Sequence, residues 1–555
     1  MNKSTMSPWK RFIGLLQLEK RDILQIFYYA IFSGIVALSL PLGIQAIINL
    51  IQGAQISTSW VVLVTLVTLG VAFSGALQLM QLRIIETIQQ RIFLRSSFEL
   101  SYRFPKIKMT ELRNYYPPEL ANRFFDTLTI QKGLSKILID IPTAVLQILF
   151  ALILLSFYHP FFIIFGLLLL ILIFIVFKYT AERGLETSLQ ESKHKYRVAH
   201  WIQEVARTVV SFKLSGNTNL AVNKNDALVN DYLAARESHF KILVLQFIQM
   251  ISFKVVVTAS LLLIGGALVL NQEMNIGQFV AAEIIIILVI ASVEKLILGL
   301  ESFYDVLTSI EKLGQIVDKD LENHNGDTLD FKNGIHIEFD EVHYEVSNRD
   351  KPILSNISLS INSKSRILVT GESGSGKSTL LRLISGVMQP TSGNIHVNNL
   401  SIKSLNLNHY RSQLGLSLTE ETPFEGTIKE NLTFGNTGIT DEAIFKALDD
   451  IGLMEFVKEQ PNGLNTILYP DGKQMSHTVS KKLVLARAIL KKPKVLILED
   501  ALDRFNRKET DAIINFLTHP DRPWGLIIVS SSKYWVDKCK EIITLEKGEI
   551  KTKNL

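Results

Sequence analysis

The chain has one cysteine, Cys539, among its 555 residues, so it can form no intrachain disulfide and no cysteine metal cluster. That lone thiol lies near the C-terminal end, which also excludes a cysteine-peptidase domain at the N-terminus. Charge of one sign is scarce too: 58 Lys and Arg oppose 53 Asp and Glu, for a net charge of +5. No basic stripe interleaved with aromatics is present, so the composition argues against a nucleic-acid binder. The N-terminal residues lack an apolar core followed by a small-residue cleavage site, and the chain is expected to insert through spans of its own.

What the chain has instead is apolar residues, 47% of the total, with a mean hydropathy of +0.24. They concentrate in the first half. Six stretches are long enough to cross a bilayer, for which about 20 helical residues are needed. They run near Ile23 to Ile48, Trp60 to Leu82, Ile141 to Tyr158, Phe161 to Phe177, Val244 to Leu270 and Ile276 to Leu300. The links at Gln52 to Ser57, His159-Pro160 and Asn271 to Asn275 are short, with Glu273 their only Asp, Glu, Lys or Arg. The links Arg83 to Asp140 and Lys178 to Lys241 are long and rich in Lys and Arg. Under the positive-inside rule the long links face the cytoplasm, and so do both termini. A multi-pass protein of the cytoplasmic (inner) membrane is expected. Helices of about forty residues, at about 1.5 Å each, would extend well past the bilayer toward a cytoplasmic domain.

Ionisable residues inside spans often mark a pathway, because burying one in lipid costs several kcal/mol. Glu283 is the deepest, and it is either a candidate for a substrate pathway or a structural pairing within the bundle. Lys254, Glu294 and Lys295 read as interfacial or snorkelling groups. Near the N-terminus, Trp9, Phe12, Ile13 and Leu16 recur at helical spacing, which fits either a membrane-surface helix or a packed amphipathic one.

The most specific motif is Gly371-Glu372-Ser373-Gly374-Ser375-Gly376-Lys377-Ser378, the G-x-x-x-x-G-K-S phosphate-binding loop. Its glycines let backbone N–H groups curl round phosphates, Lys377 reaches the terminal phosphates, and the Ser378 hydroxyl suits Mg²⁺. The apolar Arg366-Ile367-Leu368-Val369 leads in as a strand, and Ser378 to Ile384 leads out as a helix. A helix N-terminus adds its dipole to an anion site there. Residues Gly371 through Thr379 are therefore the candidate ATP contacts.

Further segments resemble an ATP-binding-cassette (ABC) domain: Asn356-Ile357-Ser358-Leu359, Leu380 to Gly386, Pro390 to Ile395, Phe424 to Asn431 and Leu485-Ala486-Arg487-Ala488. Val495-Leu496-Ile497-Leu498 is similar to the strand before that family's Walker B acid, and Glu119 to Arg123 resembles a coupling region of its exporters. The resemblance covers the whole chain and is nearest to peptide, toxin and type I secretion exporters. It implies a membrane α-helical bundle of six transmembrane helices (1–317), a linker (318–334), and an α/β P-loop NTPase cassette (335–555). It further implies ATP and Mg²⁺ as cofactors and a homodimer or heterodimer in membrane lipid, with a periplasmic adaptor as a further candidate partner.

The departures from the family pattern concern hydrolysis. Met475-Ser476-His477-Thr478-Val479 stands where the family has L-S-G-G-Q, and of that signature only Ser476 survives. Glu499-Asp500 interchanges the family's D-E, leaving Glu499 as the Mg²⁺ partner and Asp500 as the candidate catalytic base. Thr419 aligns with the Q-loop glutamine, Ser531 with the switch histidine and Val346 with the adenine-stacking aromatic. Two functions follow. One is an exporter subunit moving a peptide, protein, lipid or hydrophobic small molecule, switched by ATP binding with weak or absent hydrolysis. The other is a pseudo-ATPase, a regulatory or scaffolding membrane partner that binds nucleotide without transport.

Overall fold

The apolar stretches fold as helices that far outrun a bilayer. The computed structural model describes residues 6–52, 58–113, 115–346 and 349–554, without side chains at 172, 175–177, 553 and 554. Two units form: Met1–Pro105 with Asn114–Lys319, and Lys106–Arg113 with Asp320–Leu555.

In chain order the helices of the first half are α1 (Pro8–Leu18), α2 (Lys20–Ala37), α3 (Ser39–Gln52), α4 (Thr58–Arg103), α5 (Met109–Leu112) and α6 (Pro117–Asn122). There follow α7 (Asp126–Ser156), α8 (Phe161–Arg207), α9 (Val209–Leu214), α10 (Leu220–Ser260), α11 (Gly266–Leu270) and α12 (Ile276–Val317). The 46 residues of α4 make a rod about 70 Å long, against about 30 Å of hydrocarbon. Pro41 lacks the N–H that would continue the ladder, and the first apolar stretch accordingly breaks at Leu38 into α2 and α3. At the start of α12, Asn275 and Gln278 satisfy each other's backbone N–H groups in a capping box.

Among the described residues five segments are long and apolar enough to cross a membrane: Lys20–Gln52, Thr58–Lys106, Pro117–Ser156, Leu220–Leu270 and Ile276–Val317. The expected span Phe161 to Phe177 opens α8. Its described apolar run, Phe161–Ile171, is shorter than a full span, and the side chains at 172 and 175–177 lie outside the described residues. The short link at 53–57 also lies outside them.

Helix α12 packs along α7 and also meets α1, α3, α8 and α10. Ala144, Ile148 and Leu155 of α7 share one core with Ile285, Val289 and Val293 of α12. The opposite surfaces are apolar as well: Leu66, Leu69 and Phe73 on α4, and Ile163, Ile164 and Leu167 on α8, are exposed. Apolar side chains facing both the bundle and its outside are what a lipid solvent demands. Helix α1 is a packed amphipathic helix. Phe12 is buried and its ring lies 5.4 Å from that of Phe303 on α12, while the Arg11 guanidinium pairs with Asp318. The charged groups read as interfacial prove to be partly paired: Lys254 Nζ sits 2.6 Å from Glu294 Oε2. Glu283 is half-buried on α12 with no hydrogen bond or ion pair to any described residue. His159 and Glu273 join two of the short links at 3.2 Å.

The second unit carries β1 (His336–Tyr344), β2 (Leu354–Asn362), β3 (Arg366–Gly371), α13 (Lys377–Ile384), β4 (Ser392–Val397), β5 (Leu400–Ser401), α14 (Leu407–Ser412) and β6 (Leu414–Ser417). After these come β7 (Gly426–Thr427), α15 (Ile428–Thr433), α16 (Asp441–Asp450), α17 (Met454–Lys458), β8 (Ile467–Leu468), α18 (His477–Leu490), β9 (Val495–Glu499), α19 (Arg507–Thr518), β10 (Gly525–Val529), β11 (Glu541–Glu546) and β12 (Glu549–Asn554). An antiparallel sheet runs β2-β1-β4-β5, and a larger one runs β12-β11-β3-β10-β9-β6. In the larger sheet β11, β3, β10, β9 and β6 are mutually parallel.

Strand periodicity divides this unit into two cores. Ile367, Val369, Ile497, Ile527 and Val529 point to α13 and the antiparallel sheet. Leu368, Leu496, Leu498, Leu526 and Ile528 point to α16, α18 and α19. Both faces are covered, so β9 and β10 are buried at every residue and read as unbroken apolar runs. The segment that joins this unit from the helical half is residues 106–113, upstream of the Glu119 to Arg123 stretch that resembles a coupling region. It is held by backbone pairing of Ile107 with Leu321 and by Arg113, which donates to the Tyr344 hydroxyl at 2.7 Å.

Candidate functional site

Strand β3 lies between β11 and β10 in the sheet, and the turn at its C-terminal end is the phosphate-binding loop. Gly371 has φ +142°, and a Cβ there would meet the Leu545 carbonyl oxygen at 2.2 Å. Gly376 has φ +101°, and its Cβ would meet Leu354 Cδ2 at 2.6 Å. Only glycine fits both places, so the loop curls tightly and presents backbone to its concave side. Lys377 is the first residue of α13, and its Nζ donates to the carbonyls of Gly371 at 2.7 Å and Glu372 at 2.8 Å. A cation is thereby held within the curl at a helix N-terminus. The buried Ser375 hydroxyl has no partner among the described residues, so the cradle keeps an unmet polar group of its own.

Ser378 is half-buried, and its hydroxyl makes no hydrogen bond among the described residues. Glu499 ends β9. It is buried, and its Oε2 accepts the Thr419 N–H at 3.1 Å, while Oε1 makes no hydrogen bond among the described residues. A hydroxyl and a carboxylate oxygen form the hard donor set that suits Mg²⁺ shared with phosphate and water. Asp500 follows at φ +45°, with its N–H donated to the Val529 carbonyl at 2.9 Å. Burial, then Asp503 and Glu499, push the Asp500 carboxyl above the usual carboxylate range, against the pull of Lys377 and Lys481. The expected ATP contacts Gly371, Glu372, Ser373, Gly374, Ser375, Gly376, Lys377, Ser378 and Thr379 thus form one continuous turn from β3 into α13, with Thr379 buried in its first helical turn.

Known proteins bear on this geometry. The profile described as "ABC transporter transmembrane region" matches residues 23–293, and that described as "ABC transporter" matches residues 354–503, about three quarters of the chain between them. The chain belongs to the ABC transporter family. A "Putative export ATP-binding/permease protein" of Rickettsia bellii is 28% identical over 353 residues, 63% of this chain and 61% of the relative. The "Alpha-hemolysin translocation ATP-binding protein HlyB" of Escherichia coli is 29% identical over 331 residues, 59% of this chain and 46% of the relative. The chain thus spans about half to three fifths of the length of these relatives. A "bacterial Atm1-family ABC exporter with ATP bound" superposes with TM-score 0.85 at 16% identity, covering 96% of this chain and 95% of that one. The fold is therefore that of an ABC exporter: a multi-pass helical region followed by an ATP-binding domain.

Against the ABC pattern, Ser476 is the N-cap of α18, where its hydroxyl accepts the Val479 N–H at 3.3 Å. His477 is the first residue of that helix and is exposed. Ser531, at the switch position, is exposed at the end of β10 with no partner among the described residues. Tyr344 is taken up by the core and by Arg113, and Val346 packs against the same core.

The fastening of the Q-loop segment is carried by residues distant in the sequence. Lys481 on α18 donates to the Leu418 and Thr419 carbonyls at 3.2 and 3.0 Å. Arg487 of the same helix reaches Glu421 at 2.6 Å, and Arg382 of α13 pairs with Glu420. Three cations from two helices thus pin four consecutive residues, one of which holds Glu499. The signal available was the unusual run Thr419-Glu420-Glu421; its partners lie 38 to 66 residues away.

Arg487 is nearly buried and its guanidinium also lies 4.9 Å from the Phe434 ring centre. Arg487→Ala leaves Glu421 without its partner, at a cost of about 2 kcal/mol once its partial exposure is discounted. The thermal transition of the cassette should fall by about 4–8 °C. An unchanged transition by differential scanning calorimetry would mean that the pair contributes nothing to stability.

Proposed function

We propose that the chain is one subunit of a dimeric exporter in the cytoplasmic membrane, with both termini in the cytoplasm. In this reading residues 1–317 form the transmembrane domain, 318–334 a linker and 335–555 the cassette. The observation that carries it is a complete phosphate-binding loop, Gly371 to Thr379, in a chain whose other unit consists of membrane-length helices. Lys377 binds the terminal phosphates, and Ser378 and Glu499 orient Mg²⁺. Bound Mg²⁺ would supply charge neutralisation on the phosphates. Asp500 takes up a proton from water, and closure of two cassettes is transmitted to the spans as rigid-body movement. The name of the Escherichia coli relative, a hemolysin translocator, supports a peptide or protein cargo over a lipid or hydrophobic small molecule, and unpaired Glu283 is the candidate pathway residue. The second subunit is a copy of this chain or another exporter subunit, and a periplasmic adaptor is a further candidate partner in the same reading.

A second reading draws on the pinned loop 418–421 and on Ser531, which cannot carry positive charge to a transferring phosphoryl group. It is a nucleotide-binding regulatory or scaffolding partner without transport of its own. Spin-label distances between symmetry-related positions on α12, measured in nanodiscs with and without ATP and Mg²⁺, separate the two. The exporter reading expects a change of several ångströms. Nucleotide binding with static distances supports the second reading, and absence of binding sinks both.

A further inference from the structure

Within the first unit a cavity of about 1130 Å³ opens, lined by α8, α10, α12 and the segment around α6 from Tyr115 to Arg123. It lies outside the apolar stretches, in the Lys- and Arg-rich extensions, and is large enough for a drug-sized ligand. Five Lys and Arg line it against three Glu. Of the acids, Glu204 is hydrogen-bonded to Arg207 at 2.7 Å, whereas Glu119 lies 3.1 Å from His200 Nδ1 and Glu311 Oε2 lies 3.3 Å from Arg11 Nε without hydrogen-bond geometry. Arg123, Lys193, Lys224 and Lys312 make no ion pair among the described residues.

Two of these cations are nearly inaccessible. Arg123 is 6% exposed; it gives one N–H to Gln315 at 2.5 Å, and its Nε has no partner. Lys312 is 9% exposed, with its Nζ 5.2 Å from the Tyr196 ring centre and no acceptor. The Asp126 carboxylate lies near both and offsets part of their charge, while it also accepts the Tyr196 hydroxyl. Lys193 and Lys224 stand exposed at the rim, Lys224 over the Trp201 ring at 4.1 Å. Buried cations short of acceptors are costly unless an anion completes them.

We propose that this cavity binds a soluble organic anion bearing at least two negative charges, with Arg123 and Lys312 as its inner contacts and Lys193 and Lys224 at the entrance. This assignment does not depend on ATP binding or on transport. The probe is the trianionic dye pyrene-1,3,6-trisulfonate, titrated by fluorescence polarisation into the full chain in zwitterionic nanodiscs. Saturable binding is expected, weakened at least about tenfold by Lys312→Gln. Lys193→Gln with Lys224→Gln, both at exposed positions, should weaken it severalfold, whereas Lys377→Ala should leave it unchanged. Wild-type affinity in the Lys312→Gln protein and in the rim double variant would overturn the proposal. So would binding lost in Lys377→Ala, or a cationic rhodamine that binds as tightly.

Discussion

Lys377→Ala lowers the affinity of the intact chain for ATP by about 100-fold, the upper end of what one contact to a charged group contributes. Among the described residues its hydrogen bonds go to the carbonyls of Gly371 and Glu372, so its removal takes a cation from the cradle and leaves the fold in place. Calorimetric titration should record that loss while the nucleotide-free thermal transition stays within about a degree of wild type. Gly376→Ala behaves differently. With φ at +101° and Leu354 Cδ2 2.6 Å from the new Cβ, strain of about 1–3 kcal/mol enters the folded state itself. Binding and stability should fall together, and that split between the two variants separates charge from shape.

Turnover, where it occurs, should depend on Asp500. A positioned general base contributes about 10²–10⁴-fold, and Asp500→Asn is expected to slow Mg²⁺-dependent hydrolysis by about 100-fold with ATP affinity preserved. The pH profile fixes the sign. Asp500 accepts a proton only when ionised, and burial together with Asp503 and Glu499 raises its pKa. The rate is therefore lost as pH falls through the pKa of that carboxyl, which Mg²⁺ beside Glu499 draws down from its metal-free position. Removing the carboxyl abolishes that acid limb. A limb that persists in Asp500→Asn would assign the base to another group, with Glu499 the nearest candidate.

Local chemistry was legible in the sequence wherever one short segment carries it. The phosphate loop announces itself through glycines that only that turn requires, and β9 reads as an apolar run because both of its faces are buried. Membrane helices were legible for the same reason, since an apolar run of sufficient length needs no partner to be recognised. Pairings between distant residues were not. Nothing near Lys481 in the chain predicts that it fastens Thr419, and Lys254 reads as interfacial until Glu294 is found beside it on another helix. Tyr344 sits near the position where a base-stacking aromatic was sought, but Arg113 from the far half of the chain occupies its hydroxyl. The break at Leu38 lay in plain view as Pro41, and it was missed because hydropathy averages across it.

Hydrogen exchange of the full chain in nanodiscs, with and without saturating ATP and Mg²⁺, addresses the phosphate cradle most directly. Peptides covering residues 371–379 should gain protection as backbone N–H groups close on the phosphates, and Lys377→Ala should erase that gain. Unaltered exchange across 371–379 at saturating nucleotide would contradict the account.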